Sequence, residues 1–584
     1  MRRRPRSRSG VTGANDRARR SRRCGTALAG RRGSVATSGN ATCRDRVTVG
    51  AGHRPASDAA GAGRACPVAA PVVDAVVVGA GPNGLVAANT LADRGWDVVV
   101  LEAEADPGGA VRTGGLTLPG YHHDLFSGFY PLGFASPVIA GLHLEDHGLR
   151  WLRAPLVLAN PTPGGPTAVL SQDLDATAAS LERFAPGDGD GWRRLYRRWL
   201  RLDPHLLRAV MSPFPPVRPA SRVLARLVRD GGLTEVARFA RFAVLPVRRM
   251  AEEHFAGEGG ALLLAGNALH ADLVPESSVS GVYGWLLAML GQQVGFPVPE
   301  GGAGRLTDAL VRRLEAAGGG VRCGARVDSV VVRDGRARGV RLAGGGEVTA
   351  RRAVIADVDA PTLFLRLVGE SHLPRPFVED LRHFQWDTAT VKVDWALSAP
   401  IPWRDEECRR AGTVHLAEGI DHLSDVAHAL AVREVPARPF CILGQYAMTD
   451  PSRMPPGCET AWAYVHVPQR PRRDAAGAGV TGDWAGGDAE RLAARIEAEV
   501  EARAPGFRRL VVGRHVFSPP SMQAADSNLV GGAIAAGTSQ LHQELVFRPV
   551  PGMARTETPV AGLYLGSASA HPGAGVHGAP GHSA

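Results

Sequence analysis

VVVGAGPNGLVAANTLADRGWDVVVLEAE, Val76 to Glu104, is the stretch on which the fold of this 584-residue chain turns. Val76-Val77-Val78 is a short continuous apolar run, as expected of a strand buried on both faces of a parallel sheet. Gly79-Ala80-Gly81-Pro82-Asn83-Gly84 follows at once, and Leu85, Ala88, Leu91 and Ala92 then recur at helical spacing. In that context Gly79 makes a tight turn, Gly81 lets the backbone approach a pyrophosphate, and Gly84 lets the helix pack on the strand, with Pro82 and Asn83 in its first turn. The phosphates belong at the positive end of the helix dipole. A second strand, DVVVLEA, ends in Glu102, 18 residues after Gly84, where a carboxylate can accept hydrogen bonds from ribose hydroxyls. Strand, turn, helix, strand and acid in register predict a dinucleotide site; a glycine-rich loop before a core helix leaves Glu102 unexplained.

Working outward, EADPGGAVRT (Glu104 to Thr113) places two glycines and an arginine just past the ribose acid, where a nicotinamide-binding fold simply continues to its next helix. This segment resembles the diglycine-arginine stretch of the FAD-binding family of phytoene desaturases, amine oxidases and their relatives. The resemblance implies that Gly108, Gly109 and Arg112 run along the pyrophosphate and flavin edge, where a guanidinium fork suits phosphate or carbonyl oxygens. Two later segments carry the same likeness. In Pro299 to Val358 a glycine turn feeds an amphipathic helix (Leu306, Leu310, Leu314), then strands and the apolar run Val354-Ile355-Ala356; in the family the ARVDSV strand meets the adenine side of FAD near Val327. The GGAGRL turn within it is not a second nucleotide site, because GFPVPE before it does not read as a buried strand. In Thr558 to Ala584, TPVAGLYLGSASAHPGAGVHGAPGHSA, an apolar strand enters a glycine-rich turn. Relatives close over the flavin there, which implies backbone N–H groups near Gly575 and Val576 facing the pyrimidine end of the ring. With FRPVPG (Phe547 to Gly552), the likeness is to the phytoene desaturase-like branch that includes the proteins named for a pyridine nucleotide-disulfide oxidoreductase domain, and it covers about residues 72 to 584. Ala574 stands where relatives more often carry glycine. The chain ends nine residues after Gly575, and so brief a final helix needs tertiary support.

The expected fold is α/β: a Rossmann-like FAD-binding domain (parallel sheet, GxGxxG) with an inserted α+β substrate domain, of the flavin-containing amine oxidase and phytoene desaturase type. The FAD-binding domain is assigned to 72–130, 295–365 and 545–584, and the substrate-binding domain to 130–295 and 365–545. In the first insertion, GWRRLYRRWLRLDPHLLRAVM and SRVLARLVRDGGLTEVARFARFAVL carry leucines and aromatics on one face and arginines on the other. That pattern fits a solvated helix over a core; the membrane habits of the family also make residues 190–250 a candidate interfacial surface. In the second, TATVKVDWALS alternates with period two. Lys392 on that strand is the single lysine of the chain, and in the amine-oxidase branch a strand lysine reaches the flavin N5 through water, which makes it the candidate catalytic residue; an ion pair with Asp394 or a surface position are the alternatives. His123 and Asp124 fall where the family brings chain near the flavin, with capping or packing roles equally open. His571 and His577 lie in the closing turn and are assigned no catalytic part.

Bulk composition sets the remaining bounds. The formal net charge of +10 resides in residues 1–70, which hold 16 Arg against 3 Asp, a net of 16 − 3 = +13, leaving 10 − 13 = −3 for the rest. No nucleic-acid partner is indicated. The Arg-rich stretch lacks apolar periodicity and reads as a disordered tail; it serves as a leader without function or follows from a start assigned too far upstream, and the acid-poor composition of organelle targeting is the lesser alternative. Seven cysteines are scattered without a CxxC pair or neighbouring histidines, so neither redox dithiol nor metal site is expected. The longest apolar run, Gly281 to Leu290, is about half the ~20 residues of a membrane span. The location expected is cytoplasmic, with peripheral membrane contact left open.

The expected function is therefore FAD-dependent removal of hydride from a carbon centre of a largely apolar small molecule, such as a carotenoid-like polyene, with oxygen or a quinone accepting the electrons. Redox-neutral flavin isomerisation, amine oxidation and a non-catalytic flavoprotein-like scaffold are the alternatives.

Overall fold

The computed structural model describes residues 71–584 apart from Pro204, so the tail expected over 1–70 lies outside the described residues. β-Branched side chains make Val72–Val78 a strand whose last four residues are buried. Val98–Leu101 pairs with it in parallel, Val76 opposite Val99. On the other edge lies Glu347–Ala356, also parallel, with Val76 opposite Val354, and beyond it Leu563–Leu565. Gly320–Arg322 extends the sheet past Val98–Leu101. The hairpin of Val327–Arg333 and Arg336–Leu342 joins the first half of Glu347–Ala356. Three stretches far apart in sequence, 72–101, 320–356 and 563–565, thus make one seven-stranded sheet.

Leu85, Val86 and Ala88 of the helix Pro82–Ala92, with Leu306, Leu310 and Leu314 of the helix Gly304–Ala316, cover one face of this sheet over Val77, Val100 and Ile355. Each buried Leu, Val or Ile side chain among them contributes about 1.5–3 kcal/mol. The short strand Val298–Pro299 that precedes the second helix pairs with Trp151–Leu152 and takes no place in the main sheet, as GFPVPE suggested. The last helix, Ala579–Ser583, has the tertiary support its brevity demands: a Cβ at Gly581 would stand 1.9 Å from the carbonyl oxygen of Asn83, so the two helix backbones are in direct contact.

A second seven-stranded sheet, in the order Val511–Phe517, Ala389–Leu397, Glu459–Val467, Cys441–Gln445, Ala411–Leu416, Leu156–Pro161 and Thr167–Leu170, uses residues from both insertions. Val391, Val393 and Trp395 face the helix Asp488–Arg503 through Leu492, Ile496 and Val500. The polar alternates of TATVKVDWALS do not face water, as period-two alternation ordinarily implies: every residue of Ala389–Leu397 is buried. Around Lys392 and Asp394 their face is covered by the chain at His123 and Asp124 and by the rings of Trp462 and Phe517.

Candidate functional site

At the carboxyl ends of the parallel strands a cleft is lined by Gly79, Gly81, Glu102, Gly109, Arg112 and Val327. Six residues predicted from separate motifs therefore meet. Gly79 has φ +94°, and a Cβ there would stand 2.7 Å from the carbonyl oxygen of Asp357. At Gly81 a Cβ would come within 2.5 Å of the Asp357 carboxylate, and at Gly84 within 2.1 Å of the Gly79 oxygen. Only glycine fits these three places. Gly108 and Gly109 have φ +123° and +52°; Gly108 N–H donates to the Ala80 oxygen at 2.8 Å, which folds the diglycine turn against the first one. The Glu102 carboxylate accepts from Ala80 N (2.8 Å) and Glu104 N (2.9 Å), leaving its other lone pairs toward the cleft. Arg112 donates through Nε to the Gly109 oxygen (2.9 Å) and through Nη2 to the Ala525 oxygen (2.7 Å).

Pro82, Asn83 and Gly84 form the first helical turn beside this cleft, and among the described residues the buried Asn83 side-chain oxygen has no hydrogen-bond partner. Gly575 and Val576 lie outside the cleft lining. Gly575 has φ +118°, and the Val576 oxygen would stand 2.7 Å from a Cβ at Gly133, which holds the closing turn against the chain after Tyr130. Ser136 Oγ donates to the His577 oxygen at 2.7 Å in the same seam. Burial lowers both His571 and His577 to about 4.

Sequence reading passed over three cleft residues, Asp357, Asp526 and Asn528. Asp357 ends the strand next to Val72–Val78 and its carboxylate accepts from Gly84 N at 2.8 Å, at the N-terminus of the turn helix. Its position at the carboxyl end of an adjacent parallel strand was a usable signal. Burial raises it to about 7, against the Gly84 hydrogen bond, and the charges of Asp526 and Glu102 add to the rise. Asn528 Nδ2 donates to the Asp357 oxygen at 3.0 Å and Asn528 Oδ1 accepts from Asp359 N at 3.2 Å, closing the far wall. Burial raises Asp526 as well, while Arg112 works the other way. Nothing in SMQAADSNLV announces that role.

Lys392 does not line the cleft. It is 2% exposed; Nζ donates to the Asp394 carboxylate and, at 3.0 Å, to the Asp124 oxygen. His123 Nδ1 is 3.6 Å from the same Asp394 oxygen. The Asp124 carboxylate accepts from Arg453 Nη1 (2.6 Å), Tyr446 OH (2.7 Å) and Ala303 N (2.7 Å), and Arg453 also pairs with Asp450 at 2.8 Å. His123 and Asp124 thus tie the glycine turn before Gly304–Ala316 to the second sheet. Beside this network stand four aromatic rings. Phe129 stacks on Tyr446 (5.6 Å, 8°) and Trp462 on Tyr464 (6.0 Å, 18°), with Trp462 Nε1 donating to Tyr446 OH at 2.8 Å. Ser127 Oγ donates to the Ala110 oxygen at 2.7 Å, joining Phe129 to the diglycine turn.

The cleft passes the test of fit to a dinucleotide: side-chain-free backbone at three places, a carboxylate at the end of the second strand, a helix N-terminus and a fixed arginine. The model of the family described as FAD dependent oxidoreductase matches residues 74–422. Among curated proteins, mouse pyridine nucleotide-disulfide oxidoreductase domain-containing protein 2 is 28% identical, covering 88% of this chain and 93% of the relative. The lycopene-forming phytoene desaturase of Pseudescherichia vulneris is 27% identical over 86% of this chain and 96% of its own. Among solved structures, cyclohexylamine oxidase from Brevibacterium oxydans shares the fold, with TM-score 0.52 at 15% identity, over 88% of this chain and 97% of the other. FAD is accordingly the cofactor, and the chain belongs to the FAD dependent oxidoreductase family.

Proposed function

We propose that this oxidoreductase dehydrogenates a carbon centre of a largely apolar, unsaturated small molecule, with oxygen or a quinone as electron acceptor. The observation that carries the reading is the dinucleotide cleft at the carboxyl ends of the parallel strands, taken with the likeness over 86% of this chain to a lycopene-forming phytoene desaturase; beside the diglycine turn stands a row of two stacked ring pairs, Phe129 on Tyr446 and Trp462 on Tyr464. Tyr446 lies between the Phe129 ring and the Arg453 guanidinium, 3.9 Å from its centroid, so the half-buried Phe129 and Tyr464 are the rings with apolar area left for a partner. FAD, when bound, supplies hydride acceptance. The protein supplies position and dryness: apolar helices close one side of the row, and the Asp124–Arg453 pair fixes Tyr446 from beneath. Lys392 is the candidate proton-holding group, with Nζ already facing two oxygens.

The test begins with the visible spectrum of the full chain under anaerobic conditions. Oxidised flavin bands that persist with NADPH and bleach with a polyene or amine substrate support the reading, provided the product is two hydrogens lighter. Bleaching by NADPH alone, or a product of unchanged mass, overturns it.

A further inference from the structure

The helix Asp188–Leu202 buries Trp192, Leu195, Trp199 and Leu202. On its outer side Arg194, Arg197, Arg198 and Arg201 follow at i, i+3, i+4 and i+7, a spacing at which like charges face and repel one another. Arg226, from the kinked helix Val217–Val244, and His254, at the end of Val247–His254, close a surface cleft with these four. Among the described residues no carboxylate lines it.

Most arginines near this cleft are paired. Arg193 on the same helix holds Asp175 at 2.7 Å and Asp190 at 3.1 Å, and Arg241 meets Glu253. Inside the cleft the compensation is thin: Arg226 meets Asp230 at 3.2 Å, and Arg198 reaches Glu235 only at 3.9 Å. Among the described residues Arg194, Arg197 and Arg201 form no ion pair. Arg198 is braced with its guanidinium 4.6 Å from the Phe242 ring centroid. The accumulated charge is felt locally, since His254 is lowered first by burial and then by the charges of Arg198 and Arg194.

We propose that this cleft is an anion site that takes the phosphate or pyrophosphate group of a phosphorylated ligand. Several guanidinium forks from two helices suit the spread oxygens of a phosphate better than the two of a carboxylate. Two sources present that chemistry: a soluble phosphorylated compound, and a phospholipid headgroup, which Leu200 at 51% exposure among the arginines would suit.

The experiment uses the full chain with FAD bound, so that the dinucleotide cleft is filled. Inorganic pyrophosphate is titrated calorimetrically, and flotation is run with vesicles of phosphatidylcholine alone and of equal parts phosphatidylcholine and phosphatidylglycerol. Both are repeated with Arg194→Gln/Arg201→Gln, two exposed positions whose change leaves flavin content and the unfolding midpoint in place. Pyrophosphate binding that weakens about tenfold or more in the double variant supports the site; without flotation it assigns a soluble ligand. Flotation with phosphatidylglycerol vesicles alone, lost in the double variant, supports the site and assigns the headgroup. Neither binding nor flotation, or binding indifferent to the two substitutions, overturns the proposal.

Discussion

In the dinucleotide cleft the buried carboxyls of Asp357 and Asp526 have backbone N–H groups of Gly84 and Asn528 as their nearest donors, and burial pushes both upward. Asp124 is as deeply buried but faces the Arg453 guanidinium, Tyr446 OH and a backbone N–H at once. The first region keeps its charge poorly compensated and its space open; the second is closed and matched, donor to acceptor. That difference separates a place shaped to receive a ligand from a place shaped to hold the molecule together.

The contrast predicts where a single substitution costs most. Arg453→Ala strands both Asp124 and Asp450 in a fully buried setting, and breaking such a pair costs about 3–5 kcal/mol. Urea unfolding of the variant should show that loss; a change under about 1 kcal/mol would mean the network is no more than a surface pair in effect. Gly84→Ala acts on the other region. A Cβ there meets the Gly79 carbonyl at 2.1 Å, so the turn must open, at about 3 kcal/mol by the measure of overpacked cores. Its signature is loss of bound flavin in the visible spectrum. Retention of full flavin content by this variant would show that the turn does not hold the dinucleotide.

The same division governs what was legible in the sequence. Gly79, Gly81, Gly84 and Glu102 lie within 24 residues, and each is demanded by local backbone geometry, so a pattern of types at fixed spacing suffices. Val327 and the diglycine turn became legible through likeness to known chains, because their meeting with the first turn depends on sheet order. Lys392, Asp124 and Arg453 carry no spacing at all: 268 residues separate Lys392 from its Asp124 partner, and 329 separate Asp124 from Arg453. Period-two alternation located the strand of Lys392 correctly. It could not say that the polar face would be covered by the distant chain at His123 and Asp124 and by the Trp462 and Phe517 rings.

Lys392→Met sharpens the comparison, since the reading of this residue rests between structure and chemistry. Loss of its ammonium leaves the buried Asp394 carboxylate without its ion-pair partner, the His123 ring nitrogen standing 3.6 Å away, for a cost of about 3 kcal/mol. If Lys392 only compensates Asp394, the double variant Lys392→Met/Asp394→Leu should recover stability and anaerobic flavin reduction together. Recovered stability with reduction still slow would assign the ammonium to the chemistry.

The smallest effect is the most specific to the cleft. Asp357 titrates at about 7 against an ordinary 3.8, so the stability tied to its protonated form is fully present below 3.8 and is lost as pH rises through 7. A bound diphosphate adds negative charge at this helix N-terminus and favours the proton further. FAD binding should therefore take up a proton near neutrality, and FAD affinity should fall as pH rises from about 6 to about 8. Asp357→Asn keeps an oxygen for the Gly84 N–H but cannot ionise. Fluorescence titration of FAD against the apoprotein should show a flatter pH dependence in this variant, together with a smaller fall in unfolding midpoint over the same range. Asp272 and Glu459 are also raised to about 7 by burial, and Asp526 and Glu102 face Asp357 across the cleft, so the native protein keeps some pH dependence from other groups. The informative quantity is the difference between native and Asp357→Asn. An identical pH slope in the two proteins would place the titrating proton elsewhere and make Asp357 a fixed cap of the turn helix.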